Sequence, residues 1–213
     1  MPLIKRRFFI QCIGEECFKL AELIREKAPL VEQMDIMITD KGLYITMYGY
    51  KSDIRNAWKY VQGLVTSYKS AVTEQGGYRR LKIDYLVEKI GHTFPPRLLA
   101  EILKLMGYSA EYDRERNEIR TSAPLDKIEE IVKRIISIME SIKFDVSGTT
   151  SKYYVIASSI LSNLPINEVY EKGLEFDHLY VDEDGKYRIK LEWRRALEDF
   201  LRRVKQSVVK EGK

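Results

Sequence analysis

Three times in this chain a run of alternating apolar and polar residues meets a polar turn and is followed by a second such run. MDIMITDKGLYITMYG turns at Asp40-Lys41-Gly42, GYSAEYDRERNEIRTSA turns near Arg116, and FDHLYVDEDGKYRIKL turns at Asp184-Gly185. Period-two alternation puts apolar side chains on one face of a strand, and Asp-Gly favours a tight hairpin. An isolated hairpin is barely stable in water, so each needs helices against its apolar face.

The flanking segments supply that periodicity. In the first module IKRRFFIQC reads as a strand, and CFKLAELIREKA repeats apolar residues at Phe18, Ala21, Leu23 and Ile24. Ser52 and Asp53 open a helix striped by Ile54, Trp58, Val61, Val65 and Tyr68. TEQGGYRR breaks the pattern at Gly76-Gly77. Beyond it, LKIDYLVEKIG reads either as the end of a strand YRRLKI followed by a helix, or as wholly helical. Pro95-Pro96 suits a helix start for RLLAEILKLM, which Gly107 ends. After the second hairpin, Pro124 begins a long stripe of Ile128, Ile131, Val132, Ile135, Ile138, Met139 and Ile142. VSGTTSK is a second joint. KYYVIASSIL then reads as a helix, and INEVYEK as a short one between Pro165 and Gly173. EWRRALEDFLRRVKQSVV is the last, with Trp193, Leu197, Phe200, Leu201, Val204 and Val208 on its apolar side. Burial is expected for Trp58, Ile131, Ile135 and Phe200.

The expected fold is therefore α+β, with three tandem modules that each flank a hairpin with helices. The modules are 1–75 (β-α-β-β-α), 78–143, and 146–213 with a basic last helix. The turns at 41, 116 and 184 lie 75 and 68 positions apart, but the copies share little identity.

Charge narrows function only when its distribution is considered. The net charge of +4 and pI of about 8.8 are mildly basic. From Lys186 to Lys213 ten Lys/Arg face four Asp/Glu, whereas Pro165 to Gly185 holds one Lys and seven acids. Arg79 and Arg80 follow the Gly-Gly joint beside Tyr78. Arg114, Arg116 and Arg120 lie in or beside the second hairpin, with 114 and 116 on one face if the strand extends that far. On the last helix Arg195, Arg202 and Lys205 fall on roughly one face, and Lys5-Arg6-Arg7 is a further cluster. Guanidinium and ammonium groups so placed can reach phosphates. The competing reading is a solvated face or cross-strand ion pairs, because Asp113, Glu115 and Glu118 share the second hairpin.

Catalytic signatures are absent: there is no phosphate-binding glycine loop, nucleophile elbow or zinc-protease motif. His92 reads as an exposed loop residue and His178 as a surface or half-buried strand position. Asp182-Glu183-Asp184-Gly185 reads as an acidic turn and lacks the spacing of a calcium loop. Cys12 and Cys17 have no neighbouring histidines to make a metal site, and reduced thiols in a cytoplasmic protein are the default. No apolar run is long enough for a signal peptide or a membrane span. The high charged fraction (32%), with many Ile and Tyr, leans toward a thermophile. No cofactor and no metal are expected.

Written as β-α-α-β-β-α, the second and third modules resemble the KH domain, a small RNA- and single-stranded-DNA-binding fold. That resemblance implies backbone clamping by a G-x-x-G loop. The corresponding stretches are Gly91-His92-Thr93-Phe94, which keeps the first Gly, and Asn163-Leu164-Pro165-Ile166, which keeps neither. The central module also resembles a winged helix, which implies Arg97, Lys104, Arg114 and Arg116 facing DNA. The segment LLAEILKLMGYSAEYDRERNEIRTSAPLDKIEEIV is similar to a conserved archaeal family without an assigned function. The resulting expectation is a non-enzymatic RNA-binding or ribonucleoprotein- or ribosome-associated factor, contacting phosphates through the basic hairpin and the last helix. A protein–protein adaptor and a winged-helix DNA-binding protein are the alternatives.

Overall fold

The structure is a computed structural model that describes residues 2–73 and 76–211, with side chains through 207. The side chain of Val208, expected on the apolar side of the last helix, and residues Glu74-Gln75 at the first joint lie outside what the structure describes. The protein is α+β, and it divides into two compact units, Met1–Lys89 and Ile90–Lys213.

In the first unit β1 (Ile4–Ile10), β2 (Gln33–Thr39) and β3 (Gly42–Gly49) form an antiparallel sheet in the order β1-β3-β2. α1 (Glu15–Lys27) and α2 (Lys51–Val72) pack on one face of it. Alternation decides which: Leu43, Ile45 and Met47 of β3 are fully buried, opposite Ile10, Phe8 and Arg6 of β1. Acids in the first turn of α1 (Glu15, Glu16) and bases in its last (Arg25, Lys27) complement the helix dipole. The buried face of α1 is Cys17, Leu20, Ala21, Leu23 and Ile24, so Phe18, expected in the stripe, is instead exposed. Trp58 is half-buried rather than buried, because its ring stacks on Phe8 at 4.1 Å near the edge of the sheet. Cys12 and Cys17 are not free thiols; they form a disulfide that ties the chain leaving β1 to the first turn of α1. Past Gly76-Gly77, β4 (Arg79–Lys82) runs directly into α3 (Ile83–Ile90), which resolves the two readings of this stretch in favour of strand then helix.

In the second unit α4 (Pro96–Leu105) leads to the hairpin of β5 (Ala110–Asp113) and β6 (Glu118–Thr121), then to α5 (Leu125–Ser141). Ile131 and Ile135 are buried on α5 as expected. α6 (Thr149–Ser162) is covered on nearly every side, packing against α4, α5 and α8 and against α7 (Ile166–Glu175). That matches its apolar, weakly amphipathic sequence. β7 (Leu179–Val181) and β8 (Tyr187–Ile189) form the last hairpin, and α8 (Trp193–Glu211) buries Trp193, Leu197, Phe200 and Val204. Residues 146–213 open with a helix where the KH-like order needs a strand. Only Val146 pairs there, through an isolated parallel bridge to Tyr187.

Two further features differ from the expectation. Gly173 lies inside α7 and does not end it. A Cβ at this position would meet Leu179 Cδ1 at 2.6 Å, so the glycine is there for close approach of the hairpin. His178, expected as a surface or half-buried strand position, is 2% exposed and lies just before β7 rather than in it. Its Nδ1 lies 3.0 Å from the Tyr154 hydroxyl and its Nε2 3.0 Å from Asp199 Oδ2. A neutral imidazole fits both contacts: Tyr154 O–H donates to Nδ1, and Nε2–H donates to the carboxylate. Burial lowers the His178 pKa and outweighs the opposing pull of Asp199, whose charge is already balanced by Arg202 and Arg203.

Gly173→Ala is expected to destabilise the protein by about 1–3 kcal/mol, the usual cost of overpacking, read from urea unfolding. Stability should also depend on pH through His178. With a folded pKa below its ordinary 6.5, the unfolded chain binds the proton first. Stability is therefore full above that value and falls as the pH drops below it toward the folded pKa. A urea midpoint that stays flat or rises through this window would contradict a neutral buried His178, and His178→Gln should flatten the fall.

Candidate nucleic-acid interface

The face of the first sheet turned away from α1 and α2 carries a different set of side chains. β1 contributes Lys5, Arg7 and Phe9; β3 contributes Tyr44, Thr46 and Tyr48; β2 contributes Gln33, Asp35 and Met37. The register sets Phe9 and Met37 on either side of Tyr44, Arg7 and Asp35 on either side of Thr46, and Lys5 and Gln33 on either side of Tyr48. Phe9 is 46% exposed, Met37 50% and Tyr48 37%, and Tyr44 between them is half-buried. Clustered exposed aromatics on a strand face mark a contact surface more often than scattered single residues do.

The cluster is ordered. The Phe9 and Tyr44 rings lie 5.0 Å apart, tilted at 47°. The Arg7 guanidinium sits 4.1 Å over the Tyr44 ring, within cation–π range. Gly42 makes room for Phe9: a Cβ there would meet the Phe9 ring at 2.9 Å and clash with the Ile10 carbonyl oxygen, and its φ of +145° disfavours any side chain. Two cations, Lys5 and Arg7, face one acid, Asp35, which accepts a hydrogen bond from Gln33. The surface offers flat rings for stacking and guanidinium and ammonium groups for phosphates, the combination used on single-stranded nucleic acid.

The residues singled out from sequence lie elsewhere. Arg79 is buried, and its guanidinium donates to the Ala71 carbonyl, so it is not presented to solvent; Arg80 beside it is exposed. β5 ends at Asp113, so Arg114 and Arg116 sit in the turn and do not share a strand face. Asp113 holds this turn by accepting the backbone N–H groups of Glu115 and Arg116, and it lies 3.8 Å from the Arg116 side chain. Arg120 is exposed on β6 directly opposite Glu111. Arg195, Arg202 and Lys205 are exposed on α8, with Arg202 paired to Asp199. Arg97 and Lys104 are exposed on α4. His92 is exposed in its loop, 3.9 Å from Glu140. The acidic turn is closed on itself: Asp182 accepts the N–H groups of Asp184 and Lys186 and pairs with Arg188 at 2.6 Å. Among the described residues no group of His, Cys, Asp and Glu is placed to hold a metal ion.

Sequence reasoning missed the open sheet face. Its signal was present as alternation, since Arg7 and Phe9 on one strand and Tyr44, Thr46 and Tyr48 on another occupy every second position. The run Lys5-Arg6-Arg7 reads as one basic cluster, yet the pleat sends Arg6 to the helix side and its neighbours to the open side.

Residues 13–198 match the model of a family described as an uncharacterized protein conserved in archaea (DUF2067). The chain belongs to this family. It is also similar to an uncharacterized protein of Methanocaldococcus jannaschii, 22% identical over 178 residues that cover 81% of each chain. No solved structure matches.

Replacing Gly42 by Ala tests how the aromatic pair is held. The substitution should displace the Phe9 ring and destabilise the sheet by about 1–3 kcal/mol. An unchanged unfolding midpoint together with unchanged Phe9–Tyr44 ring contacts by NMR would show that Gly42 does not position the ring.

Proposed function

We propose that this protein is a non-enzymatic binder of single-stranded nucleic acid, RNA in the first instance, acting in a ribonucleoprotein or ribosome-associated setting. The observation that carries this reading is the uncovered sheet face, where Phe9 and Tyr44 are ordered beside Arg7, with Tyr48 and Lys5 exposed on the same face. Bases stack on such rings with little regard for sequence, and the two cations track the backbone. Base-edge hydrogen bonding on this face falls to Gln33, Asp35 and Thr46 beside the two cations, so modest sequence preference is expected.

The exposed cations of the β5–β6 hairpin and α8 are the second, weaker part of the proposal. Each of these surfaces carries its own acids, Glu111 and Asp113 on the hairpin and Asp199 on α8. They add long-range attraction without a stacking platform. No described helix is long and apolar enough to cross a membrane. A cytoplasmic location belongs to the same proposal, and the Cys12–Cys17 disulfide agrees with it if the source is a hyperthermophile, where intracellular disulfides are common.

Binding to matched single-stranded RNA and DNA of the same sequence tests the reading. Phe9→Ala and Tyr44→Ala should each weaken binding by about 1–3 kcal/mol, roughly 5- to 150-fold, with the circular dichroism unchanged. Replacing Lys5 and Arg7 by Gln should flatten the plot of log affinity against log salt by about 1.4, or about 0.7 for each lost phosphate contact. If Arg195, Arg202 and Lys205 carry the phosphates instead, the triple Gln variant will flatten it by about 2 and the sheet variants will not. An absence of binding at low salt would leave the protein–protein adaptor as the stronger reading.

A further inference from the structure

On the helix side of β1 lies a second, separate feature. A pocket of about 90 Å³ is lined by Arg6, Phe8, Lys51, Ile54, Arg55 and Trp58. We propose that it is a phosphate site. It uses the face of the strand opposite the aromatic surface, so it does not rest on the proposed strand-binding function.

Arg6 comes from β1, and Lys51 and Arg55 come from the first turns of α2. Among the described residues none of the three forms an ion pair. Asp53, the acid nearest them in sequence, does not line the pocket and accepts a hydrogen bond from Ser52. Three cations gathered at one concavity repel one another, and a bound anion removes that repulsion. The floor intensifies the effect. Ile54 is buried, and the stacked Phe8 and Trp58 rings form an apolar wall that focuses the field of the surrounding cations.

Size and shape select the anion. The pocket is small and its three cations border a compact space, which suits a tetrahedral anion. Two guanidinium forks can each make paired hydrogen bonds to phosphate oxygens, with Lys51 as a point charge beside them. The phosphate can belong to a free ion or mononucleotide, or to the end of a nucleic-acid strand.

Trp58 provides the readout. The chain has two tryptophans, and the other, Trp193, is buried in the second unit. The intact protein is titrated with inorganic phosphate at constant ionic strength set with chloride, with acetate in parallel. The proposal expects a saturable fluorescence change for phosphate alone, lost in Trp58→Phe. In Arg6→Gln/Arg55→Gln the affinity should fall at least about tenfold, as expected for lost charge-assisted hydrogen bonds. Phe9→Ala and Tyr44→Ala should leave it unchanged. A second arm compares oligonucleotides with a 5′-phosphate and a 5′-hydroxyl. A gain confined to the phosphorylated strand assigns the site to strand ends, and binding of free phosphate without that gain assigns it to small phosphates. An equal response to acetate, no saturable response to phosphate, or phosphate affinity unchanged in the double Gln variant overturns the proposal.

Discussion

A sheet has two faces, and in the N-terminal unit α1 and α2 pack on only one of them. This one-sided covering governs both the pairing and the surface of that unit. It fixes the register, because slipping β3 by one residue would expose Leu43, Ile45 and Met47 and bury Tyr44, Thr46 and Tyr48. It also obliges the chain to present the alternate residues of three strands to solvent. A chain selected only for stability would fill such a face with charged and short polar side chains. This one places Phe9, Tyr44, Tyr48 and Met37 there and orders two of them around Gly42 and Arg7. Exposed apolar area of this kind gains nothing in the isolated fold, and that is the ground on which a stacking partner is proposed.

The same pleat makes two surfaces from one run of sequence. Lys5-Arg6-Arg7-Phe8-Phe9 deals its residues alternately, so Arg7 and Phe9 join the open face while Arg6 and Phe8 border the pocket against α2. β1 is an edge strand, and its charged residues also discourage pairing with another chain. The disulfide just beyond it closes a short loop between strand and helix, which by the loop-entropy account stabilises by about 2 kcal/mol. It acts at the strand that contributes to both proposed surfaces.

Much of this architecture is legible in the sequence. The three hairpins announce themselves through alternation and turn chemistry, and the stripe of α5 through its spacing of three and four. Less legible are features that depend on where elements meet. Nothing in INEVYEKGLEF says that Gly173 is needed for the approach of Leu179 rather than to end a helix. His178 reads as a surface or half-buried strand residue, because its partners Tyr154 and Asp199 are 24 and 21 positions away. Trp58 fits the stripe of its helix by spacing, but that stripe ends at the rim of the sheet, where Phe8 meets it. The open face escapes for a related reason. A period of two identifies both faces of a strand, and only the packing of the helices tells which one is left uncovered.

Asp199 also changes how the basic last helix should be weighed. In sequence, the stretch after Lys186 is the most basic part of the chain. In the structure this carboxylate accepts the His178 N–H inside the core and pairs with Arg202 and Arg203 outside it, so its pKa is held below the ordinary carboxylate range, first by Arg202. Arg203 also lies over the Phe176 ring, 5.1 Å from its centre. Arg194 is drawn to Glu101 and Glu192 and stacks on Trp193. Exposed pairs of this kind are individually weak, worth about 0–1 kcal/mol, yet together they orient the guanidinium groups toward the protein's own acids. A phosphate approaching α8 would have to compete with partners already in place. At the pocket beside β1, Arg6, Lys51 and Arg55 have no such partners among the described residues, and at the open sheet face Arg7 lies against a ring rather than a carboxylate. Local charge balance, more than the count of cations in a segment, decides which basic surface is available to an anion. By that measure the N-terminal sheet is the better candidate.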